Sequence, residues 1–178
     1  VAEEIGRVLA PEPFIEAVVL AGGLIDAVGT DAQKGELLEA LAGGTSLPAF
    51  AHAEIGSRWE ATASAVTATE ADGGGTLSGV QEPVPHGARA DVLVVSAALP
   101  DGGTGLFVVQ GDATGLTRTG YRNHDGTRSA HVRFDGTPAT QLGTGGDQTQ
   151  AIERAQAVAR IAYSHEAVGA MDTALRTT

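Results

Sequence analysis

Beyond Pro48 no stretch of this chain runs far before it must turn. Short apolar or alternating runs are cut by Gly, Asp and Pro about every eight to twelve residues, and the punctuation continues to Phe134. That spacing predicts a compact β domain rather than a helical one. The expected strands lie at residues 47–54, 62–70, 75–80, 91–98, 105–110, 116–121 and 130–134. In the last of these Ala130, Val132 and Phe134 share one face while His131 and Arg133 share the other, the pattern of a sheet packed on one side and wet on the other. The 25 glycines among 178 residues serve the same end. They are roughly twice the usual ~7% share, fall between apolar runs, and show no three-residue period, which excludes a collagen-like chain.

Helical spacing brackets the β region. Over residues 11–28, Phe14, Ile15, Val18, Val19, Leu24 and Ile25 recur on one stripe, with Pro11 and Pro13 suited to a first turn. Over 31–41, Thr30 or Asp31 can cap a helix whose stripe is Leu37, Leu38 and Leu41 and which Gly43 and Gly44 stop. From 147 to 175, Ile152, Ala155, Val158, Ala159, Ala162, Val168 and Met171 form a small-residue stripe fit for close helix packing. The predicted class is α+β: an N-terminal helical hairpin, a compact antiparallel β-barrel-like middle domain and a long C-terminal helix. The corresponding divisions are 1–46, 47–143 and 144–178. Val1 opens in what reads as a helix under way, and no cap follows Leu175, so the expectation is a piece truncated at both ends.

Composition removes several function classes. The formal charge is -11, with 22 acidic against 11 basic residues and no basic run, which argues against nucleic acid as a partner. Without cysteine there are no disulfides, thiolate metal sites or thiol nucleophiles. The most apolar helical stretch is interrupted by Gly22, Gly23 and Asp26, so no membrane insertion is expected, and the reading is a soluble, cytoplasmic protein. His52, His86, His124, His131 and His165 show no paired ligand spacing, hence no metal site. Gly73-Gly74-Gly75 and Gly143-Thr144-Gly145-Gly146 lack the phosphate-cradle patterns and read as hairpin and linker. No Gly-x-Ser-x-Gly elbow places a hydrolytic nucleophile.

Several motifs, in order, resemble one family. Glu3-Glu4-Ile5-Gly6-Arg7 with Pro11 and Pro13, then Gly29, Gln33-Lys34 and Leu37-Leu38, resemble late N-terminal helices. Phe50-Ala51-His52-Ala53-Glu54-Ile55-Gly56-Ser57 is similar to a segment in which Thr-Glu-Pro-Gly-Ala-Gly-Ser follows a strand. Ala71-Asp72-Gly73-Gly74-Gly75 into Leu77-Ser78-Gly79 resembles the hairpin before a Trp-Ile-Thr loop, here Pro83-Val84-Pro85-His86-Gly87. Ala90-Asp91-Val92-Leu93-Val94-Val95, Val132-Arg133-Phe134-Asp135-Gly136 with Leu142-Gly143, and Glu166-Ala167-Val168-Gly169-Ala170-Met171 continue the series. Together they look like the acyl-CoA dehydrogenases.

That resemblance implies flavin-dependent α,β-dehydrogenation of an acyl-CoA thioester, with FAD accepting the β hydride. It implies a cofactor-facing set of Phe50, His52, Ala53, Val84, Pro85 and His86, and a substrate-facing set of Glu54, Gly56 and Ser57. The family's usual base sits on a C-terminal helical domain and matches no residue here, so no catalytic residue is assigned. Implied partners are the acyl-CoA substrate, further copies or a second subunit in a homo- or hetero-oligomer, and an electron-accepting flavoprotein. Ala53, Pro83 and Pro85 stand where the family carries Thr, Trp and Thr, removing a side-chain donor, an aromatic wall and a backbone N–H. The alternative implied by those departures is a subunit of a heteromeric acyl-CoA dehydrogenase that binds no flavin itself.

Overall fold

In the computed structural model, which describes residues 1–57, 60–71 and 74–178, helices flank a closed β barrel. Helix α1 (Ala2–Val8) is followed by a π-helical segment, Phe14–Gly22, that runs directly into α2 (Gly23–Val28), and then by α3 (Asp31–Ala42). The strands are β1 (Pro48–Ala51), β2 (Thr67–Ala71), β3 (Gly74–Pro85), β4 (Val92–Ala98), β5 (Thr104–Gln110), β6 (Leu116–Arg122) and β7 (Arg128–Gln141). Helix α4 (Thr149–Thr177) closes the order. The α+β architecture read from the sequence is the one observed. Asp72 and Gly73 of the expected hairpin turn lie outside the described residues.

Pairing runs β4-β2-β3-β7-β5 and returns from β5 to β4, a ring of five strands with β1 added along β4 and β6 along β7. The expected antiparallel pattern holds except at β4, which β1 and β2 both join in parallel. Those two strands share one edge of β4: β1 covers Val92 to Val95, and β2 reaches it at Ala98.

Closure gives β4 and β5 two buried faces, which explains their unbroken apolar runs. Leu93, Val95 and Ala97 point into the barrel with Phe107, Val109, Val132 and Phe134. Val92 and Val94 instead join Leu106, Val108 and Phe50 beneath Ala21, Leu24, Ile25 and Ile152 of the helices. Helix α3 starts at a reciprocal cap: Thr30 Oγ1 accepts the Gln33 N–H, and Gln33 Oε1 accepts the Thr30 N–H. The Gln33 amide also donates to the Gln141 carbonyl at 2.8 Å and accepts from Gly143 N–H at 2.9 Å, tying this helix to the end of β7.

Four strand extents differ from expectation, the largest at β7, which runs past residue 134 to Gln141. Residues 62–66 are a loop, because the N–H groups of Ser64, Ala65 and Val66 are taken by the Glu54 carboxylate instead of a neighbouring strand. β1 ends at Ala51 rather than residue 54. β3 continues past residue 80 to Pro85 by way of a register shift between Gln81 and Val84, which accommodates Pro83, a residue unable to donate to a ladder. Among the described residues no helix is long and apolar enough to cross a membrane.

Candidate functional site

The first stretch singled out by sequence touches β3 one residue short of the second, and the cavities lined by Pro85 or His86 take no residue from 50–57. As β1 leaves β4, the Ala53 carbonyl accepts the Glu82 N–H at 2.8 Å, so residues 52–54 lie against the last turn-ward residues of β3. Strand alternation sends Ala49 and Ala51 into the barrel and Phe50 toward the helices. His52, two residues on, stacks on Phe50 with ring centroids 5.0 Å apart and planes within 7°.

Both nitrogens of His52 are engaged by the protein. Nε2 lies 2.9 Å from the Glu60 carbonyl, which can only accept, so Nε2 carries the proton. Nδ1 therefore accepts the Ser96 hydroxyl at 2.7 Å. Burial holds the imidazole below its usual pKa, against opposing contributions from the Glu60 contact and the Glu54 charge. The ring is neutral at ordinary pH, and it offers a ligand its edge carbons or face rather than a free nitrogen. Behind it, the fully buried Gln81 donates from Nε2 to the Ser96 carbonyl at 2.8 Å, where β1 has ended and β2 has not begun. A side-chain amide thus replaces a missing strand, and Gln81 Oε1 is buried with no hydrogen-bond partner among the described residues. Gln81 and Ser96 were not among the expected site residues. The signal was faint: single polar residues within apolar strand sequence.

Glu54 turns away from solvent. Its carboxylate accepts the Ser64 hydroxyl at 2.7 Å and the N–H groups of Ser64, Ala65 and Val66 at 2.9, 2.8 and 3.4 Å. Burial pushes this carboxyl up, but the Ser64 hydroxyl and the three N–H groups outweigh it and hold the pKa below the ordinary carboxylate value. Both oxygens therefore serve the loop over His52. Gly56, at φ 89, and Ser57, whose N–H donates to the Glu54 carbonyl at 3.1 Å, form an open turn with space around the glycine.

On the other stretch, Val84 is buried in the barrel core, whereas Pro85 and His86 are half-buried. His86 takes a left-handed φ of 57, a strained backbone for a non-glycine residue. With Pro85 it lines a cavity of about 350 Å³ against Phe14, Ile15, Tyr163 and the β6–β7 hairpin. Tyr163 donates to Glu16 at 3.0 Å across that space, and burial raises its phenol pKa. Among the described residues no cluster of three or more metal-ligating side chains occurs.

No family model and no curated protein matches the sequence. Solved structures do. Over 99% of this chain and 46% of the other, the fold superposes with a TM-score of 0.85 and 32% identity on the Tcur3481-Tcur3483 steroid ACAD variant, an acyl-CoA dehydrogenase. The chain belongs to the acyl-CoA dehydrogenase family. A second member, glutaryl-CoA dehydrogenase from Mycobacterium smegmatis, matches at 25% identity and TM-score 0.77 over 85% of this chain and 40% of its own. The ChsE4-ChsE5 complex from Mycobacterium tuberculosis shares the fold at TM-score 0.85 and 21% identity, over 99% and 46%. This chain thus spans less than half the length of each of these matched chains.

Measured against a flavin, the described residues fit poorly. Ala53 has no side-chain donor, Pro83 and Pro85 have no N–H, and both His52 nitrogens are occupied. What is left for a ring system is the backbone of residues 50–54 and the half-buried surface of Pro85 and His86.

Proposed function

We propose that the intact protein takes part in flavin-dependent α,β-dehydrogenation of an acyl-CoA thioester, with this chain forming the barrel wall of the cleft. The supporting observation is the Ala53–Glu82 contact, which brings residue 53 to the residue preceding the 83–86 bend, within a fold shared at 32% identity with a steroid acyl-CoA dehydrogenase. A bound flavin supplies the hydride acceptor. On this reading the chain's own part is to shape the cleft: the backbone of residues 50–54 with the surface of Pro85 and His86 borders the cofactor, while Gly56 and Ser57 border the thioester arm, and the buried side chains of Val84 and Glu54 serve as support behind them. No residue of the chain is assigned as the base. Acyl-CoA as substrate, an electron-accepting flavoprotein as partner, assembly into a homo- or hetero-oligomer and a cytoplasmic setting belong to the same proposal.

A second reading is favoured by a specific observation. The lack of a side-chain donor at Ala53 and of a backbone N–H at Pro83 and Pro85 suits a subunit that shapes the assembly while a partner chain holds the FAD. The visible spectrum of the purified intact protein divides the two. Flavin absorption in the blue supports the first reading and eliminates the second. A folded, colourless protein eliminates the first, and co-purification with a flavin-bearing dehydrogenase chain then supports the second. The 178-residue chain by itself is expected to turn over no acyl-CoA, and measurable dehydrogenation by it would overturn the assignment of the chemistry elsewhere.

A further inference from the structure

At the far end of β3 the structure gathers positive charge that the overall composition does not foretell. Of the 11 basic residues in a chain carrying 22 acidic ones, Arg89, Arg122 and Arg128 line one cleft of about 210 Å³ with His86, Tyr121 and Ser129. Arg118 braces it from behind, donating to the carbonyls of Gly87 and Ala90 at 3.1 and 2.7 Å.

Among the described residues the three lining guanidiniums form no ion pair, and the arginine ion pairs fall on Arg7, Arg133 and Arg176. Asp125, Asp91 and Glu82 engage neutral donors rather than these guanidiniums among the described residues. Asp125 accepts the N–H and hydroxyl of Thr127 at 2.9 and 2.7 Å, Asp91 accepts the Leu47 N–H at 2.8 Å, and Glu82 is engaged by the Tyr121 hydroxyl. Moreover, Arg122 and Arg128 are register partners across the β6–β7 hairpin. Like charges placed directly opposite on adjacent strands destabilise a sheet, and an anion between them reverses the sign of that interaction.

The backbone holds the cleft in shape. The His86 N–H donates to the Arg128 carbonyl at 2.9 Å, and the His86 carbonyl accepts the Arg89 N–H at 3.0 Å. The left-handed His86 therefore joins the two segments that carry Arg89 and Arg128. At the floor, a Cβ on Gly120 would come within 2.9 Å of the Ala88 methyl, so glycine lets β6 approach the turn. Ser129 is buried and its Oγ accepts from Asn123 at 2.8 Å, leaving its own O–H to donate.

We propose that this cleft binds the phosphoryl group of a small molecule, as a phosphate ester or pyrophosphate. Its volume falls below the roughly 300–1,000 Å³ of whole-ligand pockets, which suits a headgroup. Guanidinium forks match phosphate oxygens two at a time, and three of them around one space exceed what a single carboxylate balances. The inference stands apart from the dehydrogenase reading. A colourless protein leaves it intact, and its own failure leaves the spectrum unaffected.

The test is titration of the ¹⁵N-labelled protein at constant ionic strength with sodium pyrophosphate, inorganic phosphate and acetate. Saturable amide shifts at residues 86–89 and 120–129 are expected with pyrophosphate, weaker ones with phosphate, and none with acetate. Arg122→Gln and Arg128→Gln should each weaken pyrophosphate binding by about tenfold, the loss typical of a charge-assisted contact. Because each removes one of two opposed like charges, neither should lower the melting temperature, so lost binding is not lost folding. Arg133→Gln, outside the cleft lining, should leave affinity unchanged. Displacement of pyrophosphate by coenzyme A or by FAD assigns the phosphoryl source. Displacement by neither, with phosphate binding as well as pyrophosphate, assigns free phosphate. Absence of saturable shifts at millimolar pyrophosphate, acetate binding as tightly, or undiminished affinity in both variants overturns the proposal.

Discussion

A carboxylate sealed into a loop is costly unless its lone pairs are met, and Glu54, only 4% exposed, meets the Ser64 hydroxyl and three consecutive N–H groups. Those donors organise residues 64–66, which cover the neighbourhood of His52. Glu54→Gln leaves an amide N–H₂ facing N–H donors, and hydrogen bonds to a charged acceptor are worth roughly 1.5–3 kcal/mol each. A loss of about 2 kcal/mol in unfolding free energy at neutral pH is therefore expected, measured by urea denaturation. The sign of the pH dependence follows from the lowered folded pKa. The stabilisation is fully present above the unfolded carboxyl value near 4.3 and is lost as pH falls through the lower folded value. Between about pH 5 and pH 3 the variant's stability should accordingly fall less steeply than the parent's. Parallel profiles would mean that Glu54 is not the titrating anchor.

At the scale of elements, the crossing of α1 over α4 is set by two glycines that face each other's backbone. A Cβ on Gly6 would overlap the Glu166 carbonyl, and one on Gly169 would overlap the Glu3 carbonyl. Gly169→Ala should destabilise the protein by about 1–3 kcal/mol, as overpacking does. Gly35→Ala in α3, where nothing lies within 4 Å of the added carbon, should stabilise it by about 0.5–1 kcal/mol through helix propensity alone. Thermal unfolding of both variants separates packing from propensity, and equal stabilisation by the two would refute the tight crossing. This contrast also marks what sequence could disclose. Runs governed by their own periodicity, such as β4, β5 and α3, lie within a residue or so of their expected limits. Residues 62–66 misled because their alternation is real but their N–H groups go to Glu54, a partner set by tertiary folding. The Gln81–Ser96–His52 contacts were illegible for the same reason, since separations of 15 and 44 residues carry no local signature. For the site, the family resemblance pointed to residues 50–57 and 83–86, and the contact found beside them joins Ala53 to Glu82. The occupation of both His52 nitrogens was not legible.

For the molecule as a whole, closure of five strands into a ring predicts a graded resistance to opening. β4 pairs along its length with β5 and is buried on both faces except at Ala98, with Val92, Val94, Leu106 and Val108 under helices and Leu93, Val95, Phe107 and Val109 inside. Exposing those amides requires breaking the ring and both apolar layers together, which is global unfolding. α3 buries no residue fully and docks through the partly buried Leu37 and Leu38 and the Gln33 contacts to residues 141 and 143. β6, at the edge of β7, is largely exposed. Hydrogen exchange followed by mass spectrometry should therefore find peptides from 92–98 and 104–110 slowest, exchanging at the rate of global unfolding. Those from 31–42 and 116–122 should be fastest among the regular elements. Protection of α3 equal to that of β4 would show that the helices and barrel open as one unit. The two apolar layers would then be a single cooperative core, and the barrel could not be treated as a scaffold more rigid than the helices around it.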